Sequence, residues 1–153
     1  MAASPLEAVE RAERLDVAVD ALERVASAIP EQQQEVLRGA WLGHPLHPAL
    51  TDLPIGFWTS AWALDIVGGR RCAPAATVLV GLGVASAVPT AAAGIADWME
   101  MPRAKQRVGV VHAVCNLAAT AAYTASFVNR CRGRRGRGVM WGFVGAGVAT
   151  VGG

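Results

Sequence analysis

Residues 73–96 read APAATVLVGLGVASAVPTAAAGIA, a continuous run that contains no charged side chain. A helix needs about 20 apolar residues to cross the hydrocarbon core of a bilayer. Two further apolar runs lie beside it in the sequence, residues 48–68 before it and residues 108–128 after it. Charged residues bracket the three runs: Arg70, Arg71, Asp97, Glu100, Arg107 and Arg130. This pattern predicts three transmembrane helices.

A fourth apolar run begins at Val139 and is still apolar at Gly153. Because it is shorter than a full span, we expect a truncated fourth helix in a piece of a longer protein. A soluble bundle of buried, Ala-rich helices is the alternative. A composition with 53% hydrophobic and only 17% charged residues favours lipid. The predicted fold is therefore all-α, an integral membrane four-helix bundle over residues 39–153, with an N-terminal amphipathic helix.

Residues 1–38 form a separate acidic extension, which holds eight of the twelve acidic residues. Its apolar residues recur every three or four positions, as expected for an amphipathic helix, and i, i+4 pairs such as Glu10/Arg14 and Asp20/Arg24 accompany them. The predicted apolar stripe consists of Leu15, Ala18, Leu22, Val25 and Ile29. An acidic polar face disfavours binding to anionic lipid headgroups. We therefore expect this helix to pack against a partner or against a second copy of the chain, giving a homo-oligomer.

The arginines indicate the orientation of the predicted spans. The first and third loops carry seven arginines, against four basic residues near the membrane edges on the other side. The positive-inside rule therefore places these loops in the cytoplasm and both termini outside. The segment RCRGRRGRG at residues 130–138 predicts a contact with anionic lipid, with no nucleic-acid partner. Asp65 is expected to pair with the nearby Arg70 and Arg71.

The segment GHPLHPALTDLPIG at residues 43–56 contains His44 and His47 and leads into the first predicted span. His112 lies five residues beyond Arg107, roughly 7 Å inside the third span from the same outer side. The three histidines are therefore expected to converge on one membrane face. Asp97 ends the second span at that face and opposes the helix dipole, so it requires a partner. The basic candidates for that partner are Arg103, Lys105, Arg107 and His112.

Two kinds of ligand site would use these groups. Neutral imidazoles on different helices could hold haem b between His47 or His44 and His112, or a metal ion together with Asp52 or Asp97. The small residues Gly56, Gly94, Gly109 and Ala113 could leave room for a macrocycle. The structural alternatives are an N-cap role for Asp52, with Pro54 in the first turn, and an interhelical hydrogen bond for His112.

A polar seam continues inward from His112 along one face of the third predicted span, through Asn116, Thr120 and Tyr123. Polar residues at membrane depth usually face the bundle interior and mark function, so a small transporter or a proton path is a further hypothesis. No serine, cysteine or threonine lies in a recognisable nucleophile motif. We therefore predict no catalytic residue and no hydrolase activity.

The run GHPLHPALTDLPIG, with Gly94-Ile-Ala-Asp97-Trp98 and His112-Ala-Val-Cys-Asn116, resembles the bacterial membrane family known as domain of unknown function 2231. The resemblance covers the chain from about residue 38 and implies a location in the bacterial cell membrane. Similar proteins commonly continue into a Rieske iron-sulfur domain. Other branches carry histidine where this chain has Asp52. If that position is an obligatory ligand in the family, the difference would weaken the haem hypothesis here or restrict ligation to His47 and His112.

Together these observations favour a membrane anchor or electron-transfer module for a Rieske-type redox protein, a possible redox subunit that is not an enzyme on its own. The alternative is a structural or assembly protein of the membrane that carries no cofactor.

Overall fold

The computed structural model describes residues 4–152, and every regular element in that range is helical. The α-helices are α1 (Pro5–Glu10), α2 (Asp16–Ala26), α3 (Glu31–Arg38), α4 (Leu46–Ala63), α5 (Ala73–Trp98), α6 (Arg103–Cys131) and α7 (Arg135–Gly152). Short 3₁₀ turns lie at Glu13–Leu15 and Ala40–Leu42, and a π-helical turn, Leu64–Gly68, extends α4. The all-α prediction is confirmed. The predicted truncation at Gly153 lies outside the described residues.

The chain divides into two compact units. The first unit consists of residues 1–47 and 91–114, and the second of residues 48–90 and 115–153. The predicted domain boundary between residues 38 and 39 stays a prediction.

The first unit begins with a capped helix. The hydroxyl of Ser4 accepts a hydrogen bond from the backbone N–H of Glu7, whose carboxylate accepts one in return from the backbone N–H of Ser4. Pro5 occupies the first helical position, where its missing N–H costs nothing. This reciprocal capping box starts α1.

The apolar stripe of α2 differs from the predicted one. Val19 and Ala26 are fully buried, while Val25 is 68% exposed and Ala18 is also exposed. Val19 packs with Trp98 and Val110, and Leu22 joins this cluster. The predicted stripe followed every apolar residue at helical spacing, whereas the buried face is set by what α2 packs against. The helices that α2 packs against here, α5 and α6, belong to the same chain.

A tight turn at Gly39 separates α3 from the long helices. Gly39 adopts φ 79°, the left-handed conformation in which glycine carries no steric penalty. A Cβ there would also collide with the backbone oxygen of His44. Helix α4 then starts at Leu46, so Asp52 lies almost two turns inside it and the predicted N-cap role of Asp52 is wrong. Pro54 is accommodated within α4 rather than starting it.

The second unit has its own core, centred on an aromatic pair. Trp58 of α4 stacks on Tyr123 of α6, with ring centroids 3.9 Å apart and planes 6° from parallel. Ala61, Ala76 and Val80 complete the buried cluster. Small residues allow this close approach, since a Cβ at Gly145 would lie 2.8 Å from the Tyr123 ring.

Two helices in the described part of the chain, α5 and α6, are long and apolar enough to cross a membrane. Only 22% of the most apolar window of each is buried, unlike the core helix of a soluble protein. Four spans were predicted, and a four-helix membrane bundle is not confirmed. Helices α4 and α7 are not among these two; α4 contains His47 and Asp52, and the first turn of α7 contains Arg135 and Arg137.

Candidate functional site

His47 occupies the first turn of α4 and is half-buried. Its imidazole lies directly against Gly94 of α5, where an added Cβ would be 2.8 Å from Cε1 and 2.9 Å from Nδ1. The space that the missing side chain leaves is therefore filled by the imidazole itself. Likewise, the Trp98 indole fills the space beside Gly109, where a Cβ would be 2.7 Å from Nε1. At these two glycines, the room expected for a macrocycle is taken by the chain's own rings.

Asp97, near the end of α5, is half-buried and interacts electrostatically with His47 and Arg38. The expected partners were the basic residues at the start of α6, or His112. Arg103, Lys105 and Arg107 instead pair with acidic residues of the N-terminal segment. An imidazole and a guanidinium thus lie within electrostatic range of the Asp97 carboxylate, an arrangement suited to orienting a histidine.

Arg38 connects α3 to the end of α5. Its Nε donates to the backbone oxygen of Ala96 at 3.3 Å, and its Nη2 donates to Oε1 of Gln34 at 2.7 Å. Nη2 also lies 3.0 Å from Oε1 of Glu100. The last carbonyls of a helix lack intrahelical donors and carry partial negative charge, so a guanidinium there caps α5. No sequence signal identified this role, since Arg38 and Ala96 are 58 positions apart.

We call Arg38, His47 and Asp97 the polar triad. The other predicted site residues are placed differently. His44 is exposed, with Nδ1 3.1 Å from the backbone oxygen of Pro45. His112 is half-buried on α6 in the first unit.

Asp52 is exposed on α4 and belongs to the second unit, whereas the three histidines and Asp97 all belong to the first. Among residues 4–152, no three His, Cys, Asp or Glu side chains come together as a metal-ion ligand set. The metal site predicted from His44, His47, Asp52, Asp97 and His112 therefore has no assembled ligand set in the described chain.

The predicted polar seam has unequal members. Tyr123 is buried and stacked on Trp58, Thr120 is half-buried and Asn116 is exposed. The backbone oxygen of Thr120 accepts a hydrogen bond from the Thr124 hydroxyl at 2.8 Å. Tyr123 therefore serves the aromatic core of the second unit, and a path along the seam stays a prediction.

The acidic N-terminal segment is bound to the start of α6 by a set of ion pairs that we call the acidic clamp. Arg107 donates from Nε to Oδ1 and from Nη2 to Oδ2 of Asp16, both at 2.8 Å. Arg103 pairs with Asp16, Asp20 and Glu23, and Lys105 Nζ lies 2.6 Å from Oε1 of Glu10. Glu10 and Asp20, which were expected to pair with the arginine four positions later, thus bind basic residues of α6 instead.

The clamp affects the titration of Asp16. The side-chain hydrogen bond from Arg107 holds the pKa of Asp16 below its ordinary range, with the charges of Arg107 and Arg103 acting in the same direction. Burial opposes this shift, yet the charged partners prevail.

A buried ion pair organises the second unit. The side chain of Arg130 is 2% exposed and that of Asp65 5%. Nη1 and Nη2 of Arg130 donate to the two carboxylate oxygens of Asp65, at 3.2 and 2.5 Å. Arg135 donates to Oδ1 of the same carboxylate at 3.0 Å. The predicted partners Arg70 and Arg71 are wrong, because the π-helical turn that contains Asp65 directs its carboxylate to arginines on α6 and α7.

Comparison with known proteins identifies a family and no individual relative. Residues 43–152 match the family described as "Predicted membrane protein (DUF2231)". No curated protein and no solved structure matches the chain. The matched segment begins at Gly43, contains His47, Asp97 and His112, and leaves the acidic segment outside it. Since that match covers well over half of the sequence, the chain belongs to the DUF2231 family of predicted membrane proteins.

Proposed function

We propose that this protein is a multi-pass membrane domain that anchors and serves a redox partner of the Rieske type, with α4–α7 as four spans and both termini outside the cytoplasm. The observation that carries the membrane part is the large apolar surface that the chain leaves uncovered. Large side chains on all four helices are exposed: Leu53, Ile55, Val78, Leu82, Val88, Val114, Leu117, Met140, Phe143 and Val144. Lipid is the environment that covers such surface without cost.

The distribution of charge supports the orientation. Between residues 60 and 90 and between residues 115 and 153, the cations are arginines of the first and third loops: Arg70, Arg71, Arg130, Arg132, Arg134, Arg135 and Arg137. The basic residues at the start of α6 are balanced by the acidic clamp. Arg130 and Arg135 share the carboxylate of Asp65, and the remaining arginines of this set leave uncompensated positive charge at the helix ends and loops that the positive-inside rule assigns to the cytoplasm.

The polar triad supports a role for the opposite side. His47 is half-buried, held by Gly94 and placed beside Asp97. A carboxylate next to an imidazole orients the ring. An oriented imidazole at an aqueous boundary provides a polar contact for an incoming redox domain.

A cofactor-bearing version of the proposal assigns haem b to His47 or His44 together with His112, or a metal ion to the same residues. It is supported by the presence of all three histidines in one compact unit. The His47 ring fills the space beside Gly94 and the Trp98 ring fills the space beside Gly109, so neither position leaves room for a macrocycle. A cleft of about 370 Å³ in this unit is lined by Asp20, Glu23, Arg24, Ser27 and Met99 and offers no histidine. We therefore favour the anchor without a cofactor of its own.

Membrane topology is tested by cysteine labelling in a background that lacks Cys72, Cys115 and Cys131. A membrane-impermeant reagent should modify Ala40→Cys in intact cells and modify Arg134→Cys only after lysis. The reverse pattern would contradict the proposed orientation. Extraction of the protein from membranes by alkaline carbonate would contradict its membrane placement.

The redox role is tested by mild-detergent purification of the chain from native membranes. The preparation should show the EPR signal of a reduced Rieske cluster, and His47→Ala should lose that signal while His44→Ala retains it. Visible spectra of oxidised and dithionite-reduced samples should lack haem bands. A reduced α-band that disappears in His112→Ala would establish the cofactor-bearing version instead.

A further inference from the structure

An open cleft of about 560 Å³ lies in the second unit, and none of its lining residues belongs to the polar triad. Its lining consists of Arg70, Gly133, Arg134, Arg135, Gly136 and Arg137. This volume is within the range of roughly 300–1,000 Å³ that is typical of small-molecule sites. Four of the six lining residues are arginines, so the natural occupant carries negative charge.

The cleft holds positive charge that the protein does not neutralise. Within residues 4–152, no ion pair or side-chain hydrogen bond engages the guanidiniums of Arg70, Arg134 and Arg137. The carboxylate of Asp65 is already shared between Arg130 and Arg135. The second unit has only one other acidic residue, Asp52.

Arg135 supplies an independent sign of a missing acceptor. Its Nε is buried, and no residue in the described part of the chain accepts a hydrogen bond from it. Buried N–H groups are nearly always paired in folded proteins. Its Nη2 donates to Asp65 and to the backbone oxygen of Gly69. The side chain is thus fixed in place while one of its donors is unused.

Backbone groups add to the donor set. Helix α7 begins at Arg135, and the first N–H groups of a helix have no intrahelical acceptor and favour anions. A Cβ at Gly133 or Gly136 would meet nothing within 4 Å. The space beside these two lining glycines is therefore open.

Apolar side chains flank the cleft in the sequence on both sides. Ile66 and Val67, just before Arg70, are 68% and 88% exposed. Met140 and Trp141, one turn beyond Arg137, are 52% and 38% exposed. A ligand with a phosphate and acyl chains would contact both the arginines and these apolar side chains, whereas a free anion would contact only the arginines.

We propose that this arginine cleft binds the phosphate headgroup of an anionic phospholipid, with the acyl chains along the exposed apolar residues that flank it. Guanidiniums bind phosphate oxygens through paired hydrogen bonds in a fixed fork. The site deepens the proposed membrane placement and rests on it. The lipid would fix the loop between α6 and α7 to the turn before α5.

The test is thermal unfolding of the full-length protein in detergent, with phosphatidylglycerol, phosphatidylcholine of the same acyl chains, or inorganic phosphate added. Phosphatidylglycerol should raise the unfolding temperature more than either other addition. The variant Arg70→Gln/Arg134→Gln/Arg137→Gln should weaken phosphatidylglycerol binding roughly tenfold or more, since each charge-assisted hydrogen bond to a phosphate is strong. The control Arg71→Gln/Arg132→Gln removes two arginines outside the cleft and should bind as the wild type does.

A charge-conserving variant, Arg70→Lys/Arg134→Lys/Arg137→Lys, keeps the topology signal and should still bind phosphatidylglycerol several-fold more weakly. Wild-type affinity in this variant, or equal losses in the cleft and control variants, would overturn the site. Equal stabilisation by inorganic phosphate would show a free-anion site and overturn the lipid assignment. Flotation with liposomes separates the two proposals. If the wild type and all variants float, a failed binding test contradicts only the cleft inference. If the wild type does not float, the membrane proposal itself fails.

Discussion

Arg107 binds both carboxylate oxygens of Asp16 through one edge of its guanidinium, with Nε to Oδ1 and Nη2 to Oδ2 each at 2.8 Å. The two residues are 91 positions apart in the sequence. This contact is the centre of the acidic clamp. It converts an extension that lies outside the family match into an integral part of the first unit.

Removing the Asp16 charge should release the N-terminal segment. In Asp16→Asn, Arg107 and Arg103 lose the negative charge that they share, while the apolar packing of Val19 is unchanged. We expect trypsin to cleave after Arg11, Arg14 or Arg24 several-fold faster than in the wild type. Glu31→Gln is the matched control, because Glu31 is exposed and forms no ion pair or side-chain hydrogen bond in the described chain. Equal cleavage rates in the two variants would contradict a role for the clamp.

The clamp should also depend on pH. Because the hydrogen bond from Arg107 lowers the pKa of Asp16 in the folded protein, the carboxylate contributes stability above its ordinary unfolded pKa. That contribution is lost as the pH falls through the lowered folded value. The segment should therefore resist pepsin in mild acid and become sensitive only below the usual range of aspartate. Asp16→Asn should be sensitive throughout, with no such transition.

Breaking the buried pair of the second unit should be costly. Asp65→Asn leaves the guanidinium of Arg130, 2% exposed, without its charged partner. Loss of one partner of a buried ion pair typically costs about 3–5 kcal/mol of unfolding free energy. The double variant Asp65→Asn/Arg130→Met should recover part of the loss, because it removes the uncompensated charge. Thermal unfolding in detergent measures both effects.

Asp52→Asn provides the control for that experiment. It removes a negative charge from the same unit, at an exposed position of α4. We expect an unfolding free energy within about 0.5 kcal/mol of the wild type. A similar loss in both variants would show that total charge, and not the buried pair, determines stability.

Gly94→Ala should displace the imidazole of His47. The new methyl group would lie 2.8 Å from Cε1, so the ring must move from its position against Gly94. The ring-proton NMR signals of His47, assigned with His47→Gln, should shift. Gly147→Ala, where a Cβ meets nothing within 4 Å, should leave those signals unchanged and stabilise α7 by about 0.5–1 kcal/mol. Unchanged His47 signals in Gly94→Ala would contradict the packing of the ring on α5.

Local patterns in the sequence predicted the helical class and the positions of α5 and α6, because long apolar runs with charged ends are visible without tertiary information. Tertiary pairings were not predictable in this way. Asp65 was paired with the nearest arginines, Arg70 and Arg71, yet the structure pairs it with arginines on α6 and α7. The partner of a carboxylate depends on the direction in which its helical turn faces.

The candidate site shows the same division. The sequence indicated that the segment around His47 is informative, but it did not indicate which residues lie against that segment in the fold. Arg38 reaches Ala96 across 58 positions, and Gly94 is filled by a ring rather than left open. Asp52 precedes Leu53-Pro54 and resembles an N-cap, but α4 begins earlier and incorporates the proline. A proline inside a helix is tolerated when surrounding groups compensate, and no local pattern reveals that.

The acidic clamp constrains the order of biosynthesis. Glu10, Asp16 and Asp20 leave the ribosome long before Arg103, Lys105 and Arg107, and the pairs between the two groups span 83 to 97 positions. The leading segment therefore has no partner for these ion pairs until the start of α6 has been translated. A chain stalled before Arg103 would leave the acidic residues of this segment unpaired and the segment open to protease.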